Sequence, residues 1–292
     1  MRIFMTGATG YIGSATASAL LNAGHEITAL VRPSTGATML EQAGVKVLRG
    51  ELKDLSRYGE VIGAHEAVIH TAMDPGDPEK ADAAALDFLL AHESAKIIYT
   101  SGVWVFGDTA ELRVDETSEL NPIEIVAWRP EHELRVLTEA AGGGAVVRPG
   151  CVYGGAQSLL ADWFASAEQG DPLDLIDDGL NRWAMVYLDD LADLYLKIAE
   201  EDHEGVFHAV DDTRETMGRI ARGIIESVES DSEIRHMPME KAKDAFGPFA
   251  DALALDQHVS SDQTRSLVGW EPSVSFLESI ERQWEEWRQS RE

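Results

Sequence analysis

The chain has 292 residues, of which 44% are hydrophobic, enough to bury a large core in one long or two short domains. Asp and Glu number 52 against 24 Lys and Arg, a net charge of −28, so the surface repels phosphate backbones and nucleic-acid binding is not expected. A single cysteine, Cys151, excludes an internal disulfide.

The N-terminus reads MRIFMTGATG, and its apolar run is broken too early for a signal peptide. No stretch approaches the roughly 20 apolar residues of a membrane span. These features predict a cytoplasmic protein without membrane association. Only seven of the basic residues are Lys. An acidic, Lys-poor surface fits a halophilic protein, whose self-repulsion is screened by salt.

In chain order, strands are predicted at 2–6 (RIFMT), 26–32, 45–50, 67–72, 96–101 and 145–150. Between them, helices are predicted at 11–24, 37–44, 81–93 and 127–141. Apolar strands alternating with helices predict an α/β fold, a Rossmann-type doubly wound parallel sheet. Beyond about 151 the pattern loosens into a smaller C-terminal substrate-binding lobe. The expected division is a nucleotide-binding domain over 1–155 and a lobe over 156–292. Segments at about 183–210 (strand 183–188, helix 191–200, strand 205–210) are expected to return to the main sheet and its helices. The tail after 213 reads as mostly helical, with a turn at GWEP (269–272).

Gly7, Gly10 and Gly13 fall between the first strand and the first helix, spaced G-x-x-G-x-x-G. Gly7 permits a tight turn, Gly10 lets a pyrophosphate approach the backbone, and Gly13 allows close helix packing. The helix N-terminus then faces the phosphates. NAD-selective sites place an acid at the end of the second strand, but here that strand ends with Arg32. Arg32 therefore favours NADP, with NAD still open; a solvent-facing Arg is the plain alternative. Glu51, after the third strand, is either an adenine contact or one more surface acid.

These residues resemble the NAD(P)-dependent epimerase/dehydratase family, the extended short-chain dehydrogenases/reductases. TGATGYIG (6–13) is similar to the family's TGxxGxxG, and HTA (70–72) to its H-x-A. Further similar segments are IIYTSG…FG (97–107), VVRPGCVYGG (146–155), NRWAMVYLDDLADLY (181–195) and LVGWEP (267–272). The resemblance implies NAD(P) chemistry on small molecules, often nucleotide sugars. It implies cofactor contacts from Thr6, Gly7, Thr9, Gly10, Tyr11, Ile12, Gly13, His70, Thr71, Ala72, Ser101, Arg129 and Pro149. A homodimer is left open, because the segment between the fourth and fifth strands is short for the family.

The family's Tyr-x-x-x-Lys dyad is missing. No Tyr lies between Tyr99 and Tyr153, and no Lys between Lys96 and Lys197. One register places the Tyr and Lys positions at Ile125 and Arg129, another at Trp128 and His132. Arg129 can supply a fixed cation but no base near neutral pH. The candidate proton carriers are Ser101, His132 and Tyr153; a solvated His132 and a structural Tyr153 are the plain alternatives. Trp104, Phe106, Trp128 and Trp183 are candidates to line a substrate pocket, or core aromatics. Arg182 resembles an Arg with which some family members contact a diphosphate, or else forms a surface ion pair. No metal-ligand spacing is present, and no metal is expected. Three functions stay open: an NAD(P)-dependent oxidoreductase or epimerase with a non-standard proton donor, a non-catalytic NADP(H) sensor, and a non-redox lyase or isomerase.

Overall fold

The structure is a computed structural model describing residues 1–91, 95–110, 112–155 and 157–291. Its strands are β1 (Arg2–Thr6), β2 (Glu26–Val31), β3 (Lys46–Arg49), β4 (Ala67–His70), β5 (Lys96–Thr100), β6 (Gly144–Pro149), β7 (Cys151–Tyr153), β8 (Leu173–Ile176), β9 (Met185–Tyr187), β10 (Gly205–Ala209) and β11 (Ile234–Met237). Seven of them form one sheet in the order β10-β6-β5-β4-β1-β2-β3. The pairs from β3 through β6 are all parallel. The order reverses between β1 and β4, where Thr6 is in register with His70. Doubly wound sheets bind ligands at the strand carboxyl ends beside such a reversal. The fold is thus the Rossmann-type α/β architecture expected from the sequence.

The chain divides into two compact units. The first comprises Met1–Ser101, Trp128–Arg148 and Leu191–Phe207; the second comprises Gly102–Ala127, Pro149–Asp190 and His208–Glu292. The expected division at 155/156 therefore differs from the observed one. Gly102–Ala127, placed in the first domain from the sequence, belongs to the second unit. Of the segments expected to return to the main sheet, helix Leu188–Glu200 lies largely in the first unit and β10 joins the sheet. β9 does not join it; it pairs with β7.

The first unit buries Phe4, Val68, Ile97, Tyr99 and Val146 from the sheet against Leu86, Leu89 and Val136 from two helices. β1, β4 and β5 are buried almost throughout, as parallel strands covered on both faces must be. Helix Pro78–Leu90 starts earlier than expected because Asp77 caps it, accepting from the Lys80 N–H at 3.3 Å, with Pro78 in the first turn. Residues 92 and 93 of the expected helix lie outside the described residues. Helix Arg129–Glu139 begins at a Pro-containing first turn, behind a 3₁₀ turn at Glu124–Val126.

The second unit packs Tyr153, Phe164, Leu173, Trp183, Ile220, Phe276 and Trp287 into its own core. β8 and β11 pair in parallel. Both strands, and helix Ala161–Gln169, were not foreseen from the sequence. The tail is mostly helical as expected, and Gly269 ends helix Asp262–Val268 with φ +62°.

Candidate functional site

β1 runs directly into the glycine turn and then into helix Tyr11–Asn22. Gly7 has φ +78°, and a Cβ there would lie 2.6 Å from the Ala72 nitrogen. A Cβ on Gly13 would overlap the Gly7 carbonyl. These two glycines are therefore required by packing. Gly10, at φ −83°, is required by neither strain nor a severe clash: its Cβ would meet the Gly7 oxygen at 3.2 Å. Thr9 and Gly10 are exposed at the tip, with Tyr11 and Ile12 half-buried behind them.

The first intrahelical bond is Ser14 N–H to Gly10 O at 2.9 Å. The opening amides of a helix have no acceptor within it. No side chain caps this terminus and no acid stands in the first turn, although the chain is rich in acids. An exposed glycine tip at an uncapped, carboxylate-free helix N-terminus fits a pyrophosphate. The residues present therefore suit an NAD(P) cofactor.

Thr71 braces the turn by donating its Oγ1 proton to Thr6 O at 2.8 Å. Thr6 and His70, expected to touch the cofactor, are buried beneath the turn. Thr6 Oγ1 and His70 Nδ1 are 2.6 Å apart, so these side chains hold the turn rather than face a ligand. Arg32 is exposed beyond the end of β2 and makes no ion pair among the described residues. Glu51 caps the 3₁₀ turn Leu52–Tyr58 and pairs with Lys53, a local role that needs no ligand.

His132 does not take the solvated alternative. It is buried, with Nδ1 2.7 Å from Asp82 Oδ2. Asp82 Oδ1 lies 2.9 Å from His70 Nε2, and Tyr99 donates to Asp82 Oδ2 at 2.7 Å. Burial opposes ionisation of Asp82, but the bonds from His132, His70 and Tyr99 outweigh it and hold the carboxyl below the usual carboxylate range. Burial, with the Asp82 charge, pushes the Tyr99 hydroxyl up, so Tyr99 stays protonated.

Arg129 sits at the carboxyl end of β5. It donates to Thr100 O at 2.7 Å, and its guanidinium lies 4.6 Å from the Trp128 ring centroid. Ser101, one residue beyond β5, donates to Glu133. Arg148 grips the same carboxylate, with Nη2 to Oε2 at 2.5 Å and Nε to Oε1 at 3.1 Å. Glu133 and Asp82 were not singled out from the sequence. A signal existed for Asp82, which shares the face of Ala85, Leu86 and Leu89 on its helix.

The remaining candidates belong to the second unit. Tyr153 is fully buried and donates to Asp211 Oδ2 at 2.6 Å and to Val274 O at 3.2 Å. Burial and the Asp211 charge push its hydroxyl up, so the phenol stays protonated and bonded to Asp211. Burial likewise pushes the Asp211 carboxyl up to about 6, against the opposing bonds from Tyr153 and Thr213. Pro149 is buried at the end of β6. Phe106 packs edge-on to His208 in a separate cluster. Arg182 pairs with Asp256 at 3.4 Å, which also accepts the Arg182 backbone N–H at 2.9 Å.

Trp183 donates its Nε1 proton to Leu253 O at 3.0 Å and lines a cavity of about 410 Å³ with Trp163, Met217 and Phe249. Trp104 packs edge-on against Phe249, with centroids 5.7 Å apart. The sequence thus brings Trp104 and Trp183 to one apolar region, while Trp128 belongs with Arg129 in the first unit.

Among known proteins, the sequence pattern of the NAD dependent epimerase/dehydratase family matches residues 3–209. An uncharacterised protein of Schizosaccharomyces pombe is 30% identical over 294 residues, covering 95% of this chain and 97% of its own. A dTDP-glucose 4,6-dehydratase of Streptomyces niveus is 23% identical, covering 100% of this chain and 94% of its own. The fold is similar to UDP-glucose 4-epimerase from Thermotoga maritima, with a TM-score of 0.83, 21% identity and full coverage of both chains. With a glycine turn shaped for a dinucleotide and a sequence match over 207 residues (3–209), the chain belongs to the NAD dependent epimerase/dehydratase family.

Proposed function

We propose that the protein is an NADP(H)-dependent oxidoreductase or epimerase-type enzyme acting on a small carbonyl or hydroxyl substrate, without the usual phenol as proton donor. The observation carrying this reading is Arg32, an exposed cation beyond β2 with no ion-pair partner among the described residues, where an acid would repel a 2′-phosphate. The cofactor, when bound, supplies the hydride chemistry.

In this reading, Gly10 and the opening amides of helix Tyr11–Asn22 hold the pyrophosphate. Arg129, fixed by Thr100 O and the Trp128 ring, takes the cation's place in the missing dyad. His132 is committed to Asp82, which favours the register that puts Arg129, not His132, at the Lys position. Ser101 stands at the strand end where ligands of such sheets bind. Its Oγ accepts a proton from a substrate hydroxyl as its own proton moves to Glu133; for carbonyl reduction the transfers run in reverse. Leu134 and Leu137, exposed on helix Arg129–Glu139, support self-association into a homodimer.

The test is NADPH oxidation against a panel of ketones, aldehydes and nucleotide sugars in molar KCl, on wild type and Ser101→Ala. General acid–base catalysis contributes about 10²–10⁴-fold. A loss of that order in Ser101→Ala, with cofactor affinity kept, supports the assignment. Turnover unchanged by the substitution removes Ser101 from the mechanism.

A further inference from the structure

The cavity of the second unit differs in chemistry from what a nucleotide sugar needs. A diphosphate is held by Arg or Lys, whose charge and forked donors match its oxygens. Among the described residues, none lining this cavity is Arg or Lys. Two are acids, Asp162 and Asp174. Asp174 is engaged by Arg235, which does not line the cavity, at 2.5 and 2.7 Å. Arg182, the residue that resembles a diphosphate ligand, is held by Asp256 instead. The walls are otherwise largely carbon: Trp163, Trp183, Met217, Phe249 and Leu253. The Trp183 N–H is already used by Leu253 O. Asn181 also lines the cavity, and its Nδ2 donates to Leu253 O and Leu255 O at 3.1 Å. That fixes the amide and leaves Oδ1 as an acceptor suited to a hydroxyl.

We infer that this cavity takes an uncharged, aromatic or aliphatic carbonyl or alcohol compound and rejects nucleoside diphosphate sugars. The carbonyl or hydroxyl of that compound rests on the proposed oxidoreductase reading; its neutral, apolar character rests on the cavity's own lining. A volume of about 410 Å³ is within the range of small-ligand sites and accommodates a two-ring ketone. An anion entering the cavity would lose water without gaining a cation, beside two carboxylates.

The probes are 2-acetonaphthone and UDP-glucose, measured by equilibrium dialysis at matched molar KCl on the full chain. The variants are Leu159→Asp and Phe246→Asp, two lining residues that are 41% and 44% exposed, so the fold tolerates the change. Arg222→Ala is the control, because Arg222 borders a different depression of the same unit, with Arg219. The ketone is expected to bind wild type and Arg222→Ala alike, and at least about tenfold more weakly to each Asp variant, a shift of about 1.4 kcal/mol. UDP-glucose is expected to bind more weakly than the ketone throughout. Tighter binding of UDP-glucose, no binding of the ketone, or ketone binding indifferent to both Asp variants overturns the inference. NADPH titration on the same samples separates the two claims. Cofactor binding with nucleotide-sugar turnover sinks this inference and leaves the oxidoreductase reading standing. Ketone binding with no cofactor binding does the opposite.

Discussion

Arg148 grips both carboxylate oxygens of Glu133 inside the first unit, and both side chains are almost completely buried. Ser101 donates to the same carboxylate. Removing Glu133 strips a buried guanidinium of its carboxylate and a hydroxyl of its acceptor. Glu133→Ala is expected to lower stability by about 3–5 kcal/mol. The double variant Glu133→Leu with Arg148→Met, which removes both charges, is expected to recover most of that loss. Equilibrium denaturation at fixed salt measures both, and a single variant as stable as wild type contradicts the assignment.

Asp211 gives a pH signature of opposite sign to that of an ordinary ion-paired acid. Its carboxyl titrates at about 6 in the folded protein, chiefly because of burial, against about 3.9 in an unfolded chain. The folded state therefore binds the proton more tightly, and stability falls as pH rises from about 4 to about 6. The two-unit difference corresponds to about 3 kcal/mol at most. Asp82 behaves in the opposite way: its depressed carboxyl contributes stability above about pH 4 that is lost as the pH falls further. Denaturation midpoints between pH 4 and 6.5 in wild type and Asp211→Asn isolate the first effect. The variant is expected to lose the downward slope; equal slopes in the two proteins contradict it.

Salt is expected to stabilise the fold. Acids outnumber bases 52 to 24, and the repulsion among them is screened as the Debye length falls from about 10 Å at 0.1 M to about 3 Å at 1 M. Exposed ion pairs such as Arg113–Asp262 weaken over the same range, but each is worth only about 0–1 kcal/mol. The melting temperature is therefore expected to rise from 0.1 to 2 M KCl, and a flat or falling curve removes the halophilic reading.

The sheet and the cofactor turn were legible in the sequence because both rest on local signals. Apolar strand runs and the spacing of Gly7, Gly10 and Gly13 report their own backbone requirements. The unit boundaries were not legible, because Gly102–Ala127 leaves the first unit without a compositional break. The burial of His132 was not legible, because the neighbours in its own helix are largely charged. Its partner Asp82 is 50 residues away and becomes visible only when two helices pack. Tyr153 sits in a motif segment, yet only the tertiary contact with Asp211 shows that its hydroxyl is already taken. Trp104 and Trp183 stood out as pocket candidates by residue type, but the lack of Arg or Lys among the described residues lining the Trp183 cavity is a tertiary feature that spacing does not carry.

The measurement that bears most directly on the account is a matched-salt titration of NADPH and NADH into wild type, Arg32→Ala, Arg129→Ala and His132→Ala. A charge-assisted contact to the 2′-phosphate is worth about 1.5–3 kcal/mol, roughly tenfold or more in affinity. Wild type is predicted to prefer NADPH by that margin, and Arg32→Ala to lose the preference while keeping its NADH affinity. Arg129→Ala is predicted to weaken both cofactors, and His132→Ala to leave both nearly unchanged while lowering stability. Equal wild-type affinities for NADPH and NADH, or a loss of binding in His132→Ala but not in Arg129→Ala, would contradict the account.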